Sequence, residues 1–116
     1  MTATALIASS SPADLAELEA SAAPAARLMR LFGNEQRLML MCRLSDGECS
    51  VGDLAAFAGL SQSACSQHLA RLREAGVVAP RREAQTINYA IADPAAARVI
   101  ALLCDIYRGK RGKETP

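Results

Sequence analysis

A chain of 116 residues, 51% of them apolar, is long enough to bury one core of moderate size and falls in the range of a single domain. Aromatic residues make up 3% and Trp is absent, which favours closely packed Ala- and Leu-rich helices over a large β-sandwich. The formal net charge of +1 excludes a uniformly basic nucleic-acid binder, so what matters is where the charges lie. Arg71, Arg73, Arg81 and Arg82 fall within a dozen residues, and Arg108, Lys110, Arg111 and Lys113 crowd the C-terminus, while Asp14, Glu17 and Glu19 make the N-terminal part acidic.

No apolar run approaches the roughly 20 residues that span a bilayer, and the first residues lack the basic start and apolar core of a secretory signal. A cytoplasmic protein without a membrane partner is expected. Four cysteines, Cys42, Cys49, Cys65 and Cys104, are too scattered for a secreted disulfide scaffold, and in a reducing compartment such thiols are structural, metal-binding or redox-active. An enzyme has little support, because there is no Gly-rich phosphate loop, no nucleophile motif, a single histidine and no pair of carboxylates suggesting a cleft. No cofactor is expected.

In chain order, residues 1–11 are rich in Ala, Ser and Thr and lack the means to offset the entropy of ordering, so they read as a disordered tail. From Pro12 to Phe32, Leu15, Leu18, Ala22, Ala25, Leu28, Met29 and Phe32 recur at helical spacing, with Pro24 expected to kink or restart the helix. Gly33-Asn34 ends it, and Asn34 caps a second helix that carries Leu38, Met41 and Cys42 on one face and ends near Asp46-Gly47. Ser50, with Asp53 three residues on, opens a short third helix stopped by Gly59, and Ser61 caps a fourth that Gly76 ends. Val77 to Glu83 and Thr86 to Ile91 read as two strands around Ala84-Gln85. Asp93-Pro94 then starts a last helix expected to end at Gly109. The fold class is therefore mainly α with a small β-hairpin: five helices and a two-stranded wing over residues 12–108, followed by a basic tail at 109–116.

The short Gly59-Leu60-Ser61 link is the tight connection that sets two helices at a steep angle in a helix-turn-helix. On the fourth helix Gln62, Ser63, Ser66, Gln67 and Arg71 offer amide, hydroxyl and guanidinium groups, while Cys65, Leu69 and Leu72 face inward. Polar groups near the start of such a helix reach base edges and phosphates. Taken without their context they also describe a solvated helix face; the tight turn before and the basic hairpin after favour DNA. His68 has no helical-spacing partner for metal binding and reads as a polar DNA contact or a packed ring. In the hairpin, Arg81 and Arg82 are placed to follow a phosphate backbone or enter a minor groove, with Gln85 and Thr86 at the tip as further donors, or to form an ordinary solvated turn.

The run Leu60-Ser61-Gln62-Ser63-Ala64, followed by Ser66-Gln67-His68-Leu69-Ala70-Arg71-Leu72-Arg73-Glu74-Ala75-Gly76-Val77-Val78, closely resembles the ArsR/SmtB repressors. The wing segment from Arg82 to Ile87 with Tyr89, together with Asn34 to Leu38 and Ser50 to Leu54, looks most like the HlyU/BigR branch, over roughly residues 25 to 108. The resemblance implies a winged helix-turn-helix homodimer, joined through its first and last helices, that binds a palindromic operator duplex and leaves it when an inducer acts. Composition points the same way, since Leu102, Leu103, Ile106 and Tyr107 with an Ala/Leu first helix present more apolar surface than three helices and a wing can cover.

Many members of the wider family bind metal through a Cys-x-Cys-Asp-Leu run, which here reads Ser50-Val51-Gly52-Asp53-Leu54, and the other common site needs His on the last helix, where there is none. No metal is therefore expected at those sites. In the HlyU/BigR branch two thiols, one on the second helix and one on the last, join through a disulfide or sulfur chain under a reactive sulfur species or oxidant. The resemblance places Cys42 as the first sensor, beside Arg43, which could favour its thiolate. Cys104 is the thiol on the last helix but lies four residues before the branch's usual position after an Ile-Tyr pair, one turn away. A persulfide- or redox-responsive repressor with sensors Cys42 and Cys104 is the main reading, and an arsenical or soft-metal sensor using Cys42 or Cys49 with Cys104 is the alternative. Cys49 reads as a turn residue, exposed or metal-binding, and Cys65 as buried beneath the fourth helix.

Overall fold

The computed structural model describes residues 12–114, with side chains described from residue 13 to residue 108; the expected tail at 1–11 and the side chains of the basic stretch 109–116 lie outside what is described. Five helices and a three-stranded sheet follow in the order α1 (Pro12–Phe32), α2 (Glu35–Leu44), β1 (Cys49–Ser50), α3 (Val51–Ala58), α4 (Gln62–Glu74), β2 (Val78–Glu83), β3 (Thr86–Ile91) and α5 (Pro94–Glu114). The chain divides into two compact units, one ending at Arg30 and one beginning at Leu31, where composition predicts a single domain. In the first, α1 runs through Pro24 without a restart and exposes Leu15, Leu18 and Met29.

The second unit is assembled from well-capped helices. Asn34, Ser50 and Ser61 each sit in extended backbone and accept, through their side chains, the N–H of Arg37, Asp53 and Ala64 respectively, satisfying a donor that the first helical turn leaves without a partner. Asp93 does the same for Ala95 at the start of α5, where Pro94 occupies the position that lacks a needed N–H. Gly59 ends α3 with φ 68, a left-handed conformation that glycine adopts without a Cβ clash. The core under these helices is apolar: Leu40 and Met41 of α2, Leu54 of α3, Cys65, Leu69 and Leu72 of α4 and Ile100 of α5 are wholly buried, and no polar or charged side chain is buried with them among the described residues. In this unit α2 packs against α3, α4, α5 and β3.

The sheet departs from the expected two strands. Its order is β1-β3-β2, all antiparallel, with Cys49 opposite Tyr89 and Ser50 opposite Asn88. Cys49 is consequently buried at 5% exposure and is not the exposed turn thiol that its Gly47-Glu48-Cys49 setting suggests. A two-residue strand has no alternation to betray it; the pairing partner, some forty residues further on, decides the matter. The β2–β3 register runs from Val78↔Ile91 to Glu83↔Thr86, so Ala84-Gln85 is a two-residue turn. Ala84 takes φ 56, at a position where glycine is favoured because two-residue hairpins call for positive φ. The helix α5 passes through Gly109 to Glu114, since a glycine inside a helix costs only about 1 kcal/mol and does not by itself end it.

Candidate DNA-reading surface and thiol pair

The helix-turn-helix consists of α3, the Gly59-Leu60-Ser61 turn and α4. Burial of Cys65, Leu69 and Leu72 fixes the rotation of α4 about its axis, and the 3.6-residue repeat then turns Gln62, Ser63, Ser66, Gln67 and Arg71 outward. All five are exposed, while His68 is half-buried. The expected reading residues therefore share one accessible face, with their donors and acceptors concentrated towards the capped N-terminus.

A cation absent from the sequence reading joins this face. Arg37, in the first turn of α2, donates from Nε to the Leu31 carbonyl at 2.9 Å, and its charge is felt by His68 together with that of Arg71. His68 is held below the ordinary imidazole value by burial and then by these two guanidinium groups. Arg37 is likewise lowered by burial and by Arg71. Positive charge thus converges from two helices on the α4 surface, although the chain as a whole is nearly neutral.

The two wing arginines have different environments. Arg81 donates to both carboxylate oxygens of Glu48 and, at 3.4 Å, to Glu83, and these contacts hold Glu48 below and Arg81 above their ordinary values. It ties the wing to the loop before β1. Arg82, next along β2, faces the opposite side, as successive strand residues do, and is exposed with Gln85 and Thr86. Of the expected wing contacts, these three remain on an open surface, whereas Arg81 has two carboxylates already in hand.

The thiols of Cys42 on α2 and Cys104 on α5 are neighbours, close enough for Cys104 to act on Cys42, and both are half-buried. The one-turn displacement of Cys104 does not separate them, because α5 packs along α2. Three polar side chains surround the pair. Ser45 donates from Oγ to the Cys42 carbonyl at 2.6 Å and lies 3.8 Å from the Cys104 Sγ. Arg108 donates to the Asp46 carboxylate at 3.3 Å and to the Cys42 carbonyl at 3.5 Å. The Cys42 thiol is pushed up to about 11, by burial first, then by the hydrogen bond to Cys104 and the charge of Cys104, with Asp46 adding to this and Arg108 opposing it. The cation acting on Cys42 is thus Arg108 rather than the sequence neighbour Arg43, which stands on the same helix but is not among the groups that shift this thiol.

Cys65 is wholly buried, with Sγ 3.9 Å from the Val51 carbonyl, and is raised by burial and by Cys49. Both belong to the packing beneath α4. Among the described residues no three His, Cys, Asp or Glu side chains gather where they could hold a metal ion, and no helix is long and apolar enough to cross a membrane.

Residues 34–79 match the bacterial regulatory protein, arsR family. The chain is 45% identical over 96 residues to the transcriptional activator HlyU of Vibrio cholerae, covering 83% of this chain and 89% of HlyU. The structure of reduced HlyU from that species aligns with a TM-score of 0.75 over 78% of this chain and 96% of the other. The biofilm growth-associated repressor of Agrobacterium fabrum is 43% identical over 101 residues, covering 83% of this chain and 86% of the repressor. A homodimeric winged helix-turn-helix DNA-binding domain from Mycobacterium bovis, 28% identical, aligns with a TM-score of 0.66 over 94% of this chain and 97% of that one. With relatives that are transcriptional regulators rather than enzymes and a winged helix-turn-helix of its own, the chain belongs to the ArsR family of bacterial regulatory proteins, in the branch that holds HlyU and BigR.

Proposed function

We propose that this regulator is a cytoplasmic homodimeric repressor that holds a palindromic operator through α4 and the wing, and releases it when Cys42 and Cys104 become joined by a disulfide or a sulfur chain. The observation that carries the switch is the meeting of these two thiols where α5 packs on α2, with Ser45 bonded to the Cys42 carbonyl and 3.8 Å from the Cys104 Sγ, and Arg108 of α5 reaching the Cys42 carbonyl. A repressor is among the similar proteins, and the exposed polar face of α4 with Gln62, Ser63, Ser66, Gln67 and Arg71, together with half-buried His68 and the exposed wing residues Arg82, Gln85 and Thr86, supports the contact with DNA.

Dimerisation is supported by Leu102, Ile106 and Tyr107, which α5 leaves exposed at 59%, 47% and 69%, and by the homodimeric state of the Mycobacterium bovis domain. A two-fold dimer sets two recognition helices about one DNA turn apart, the spacing a palindrome offers. Because α2 packs on α4 as well as on α5, a covalent link between α2 and α5 acts at the junction of the reading helix and the dimer element. A coupling of about 1 to 3 kcal/mol, roughly 5- to 150-fold in affinity, is the usual scale of such control.

The test combines mass and binding. Intact protein treated with inorganic polysulfide, peroxide or arsenite is weighed, digested and mapped, and release from a duplex selected out of random sequence is followed in parallel. Cys42→Ser and Cys104→Ser should each abolish induced release, and treated wild type should contain a Cys42–Cys104 crosslink. A mass gain of one arsenic or metal atom on the same thiols would instead make this a soft-element sensor. Full response of Cys104→Ser, with loss of response in Cys49→Ser or Cys65→Ser, would overturn the paired-thiol switch.

A further inference from the structure

The groups around the thiol pair have a net arrangement that the switch itself does not require. Cys104 and Arg108 are four residues apart and share one face of α5, while Leu102 and Ile106 share another. Arg108 is exposed at 54% and is held in place from two sides, by the Asp46 carboxylate and by the Cys42 carbonyl. Its guanidinium therefore stands beside the half-buried thiols, on the solvent side of them. Two of its contacts fix it, and a planar guanidinium carries five donors, so donors remain for a further anion.

Resting on the thiol-switch reading, we propose that Arg108 is the specificity residue of the pair, selecting negatively charged low-molecular-weight disulfides and polysulfides as the co-reactant, with Asp46 tempering its charge. The reaction is thiol–disulfide exchange. A thiolate of the pair attacks one sulfur of R–S–S–R′, forming a protein–S–S–R bond as the S–S bond of the reagent breaks and R′S⁻ leaves with the electron pair. The second thiolate then attacks the modified protein sulfur, closes the Cys42–Cys104 bond and expels RS⁻. Two protein thiols give up two electrons and two protons, and the reagent is reduced to two thiols. Where R and R′ bear carboxylates, the approach and the departing R′S⁻ both place negative charge next to Arg108. A neutral reagent undergoes the same exchange without that attraction.

Arg108 and Asp46 act in opposite senses on the same event, which separates an electrostatic role from a packing one. Removing either breaks the same ion pair, so a merely structural role moves both variants in the same direction. A charge role moves them apart.

The test is the stopped-flow rate of full-length protein with two aromatic disulfides, the dianionic 5,5′-dithiobis(2-nitrobenzoate) and the neutral 4,4′-dithiodipyridine, with the fast phase assigned to Cys42 or Cys104 by peptide mass. Arg108→Gln should slow the dianionic reagent about 3- to 10-fold at low salt, as expected for loss of one unit charge a few ångströms away in a wet site, while changing the neutral reagent less than about 2-fold. Asp46→Asn should speed the dianionic reagent. Arg108→Lys should restore most of the rate, and about 1 M salt should erase the difference, since the Debye length there falls to about 3 Å. Equal slowing of both reagents by Arg108→Gln, a change of the same sign in both variants, or no change in either would overturn the proposal. These rates involve no DNA, so the selectivity of Arg108 can fail while crosslinking and operator release stand, and the reverse.

Discussion

His68 is half-buried, and burial first and then the charges of Arg37 and Arg71 disfavour its protonated form. Near pH 7 it is therefore neutral in the free protein. On the proposed reading a DNA phosphate is brought to this cluster and favours the charged ring, so binding should take up a proton and operator affinity should rise as pH falls from about 7 through the range just below the ordinary imidazole value of about 6.5. For folding the sign is opposite: a lowered imidazole contributes stability above about 6.5 that is lost as pH falls through the folded value. Fluorescence anisotropy at pH 8 and pH 6 should show tighter binding at pH 6 for wild type, and His68→Gln should flatten this dependence. A wild type without pH dependence would remove His68 from the interface.

At this same scale, the face of α4 was legible in the sequence because every contributing residue lies on one helix with a fixed period. Arg37 was not, since nothing in the spacing from 37 to 68 marks them as neighbours; only the packing of α2 on α4 does. The thiol pair falls between these cases. Ser45 and Asp46 follow Cys42 by three and four residues, and Arg108 follows Cys104 by four, so each half of the cluster was visible as a helical neighbourhood, but which half met which depended on how α5 lies on α2.

At the level of elements, α4 is anchored by the apolar stripe Cys65, Leu69 and Leu72, all wholly buried, and the proposed DNA contacts lie on the other face, so stability and binding should respond separately to mutation. Arg71→Ala and Gln67→Ala should leave the melting temperature nearly unchanged and each weaken operator binding about 5-fold or more, by the loss of a contact of roughly 1–3 kcal/mol, with Arg71→Ala also reducing the salt slope by about 1 if it meets a phosphate. Anisotropy titrations across a salt series make the measurement. Binding like that of wild type in both variants would mean that α4 is not the reading helix.

Helix ends were readable from Asn34, Ser50, Ser61 and Gly59, because a cap is a local signal with a local cause. The strand β1 was not, because two residues carry no period and Cys49 is drawn into the sheet by Tyr89. The Glu48–Arg81 contact has the same origin. With β1 seated on β3, the loop before it comes within reach of β2, and an arginine that composition assigns to DNA is drawn to a carboxylate.

For the molecule as a whole, the two faces of α5 divide its work: Leu102 and Ile106 remain exposed for a partner, while Ala96, Ile100 and Cys104 turn inward or towards α2. Leu102→Glu combined with Ile106→Glu should yield a monomer by analytical ultracentrifugation, with helix content retained and operator affinity lowered by at least about tenfold. A dimer that survives this change would move the interface elsewhere. In the proposed switch the covalent state of Cys42 and Cys104 sets the grip on DNA. The most direct measurement is the affinity of one preparation for its selected operator, taken first reduced, then after crosslinking of the pair verified by peptide mass, then after re-reduction. The bridged form should bind roughly 5- to 150-fold more weakly, with affinity fully restored by reduction; equal affinity in all three states would mean that the bond between the thiols does not control DNA binding.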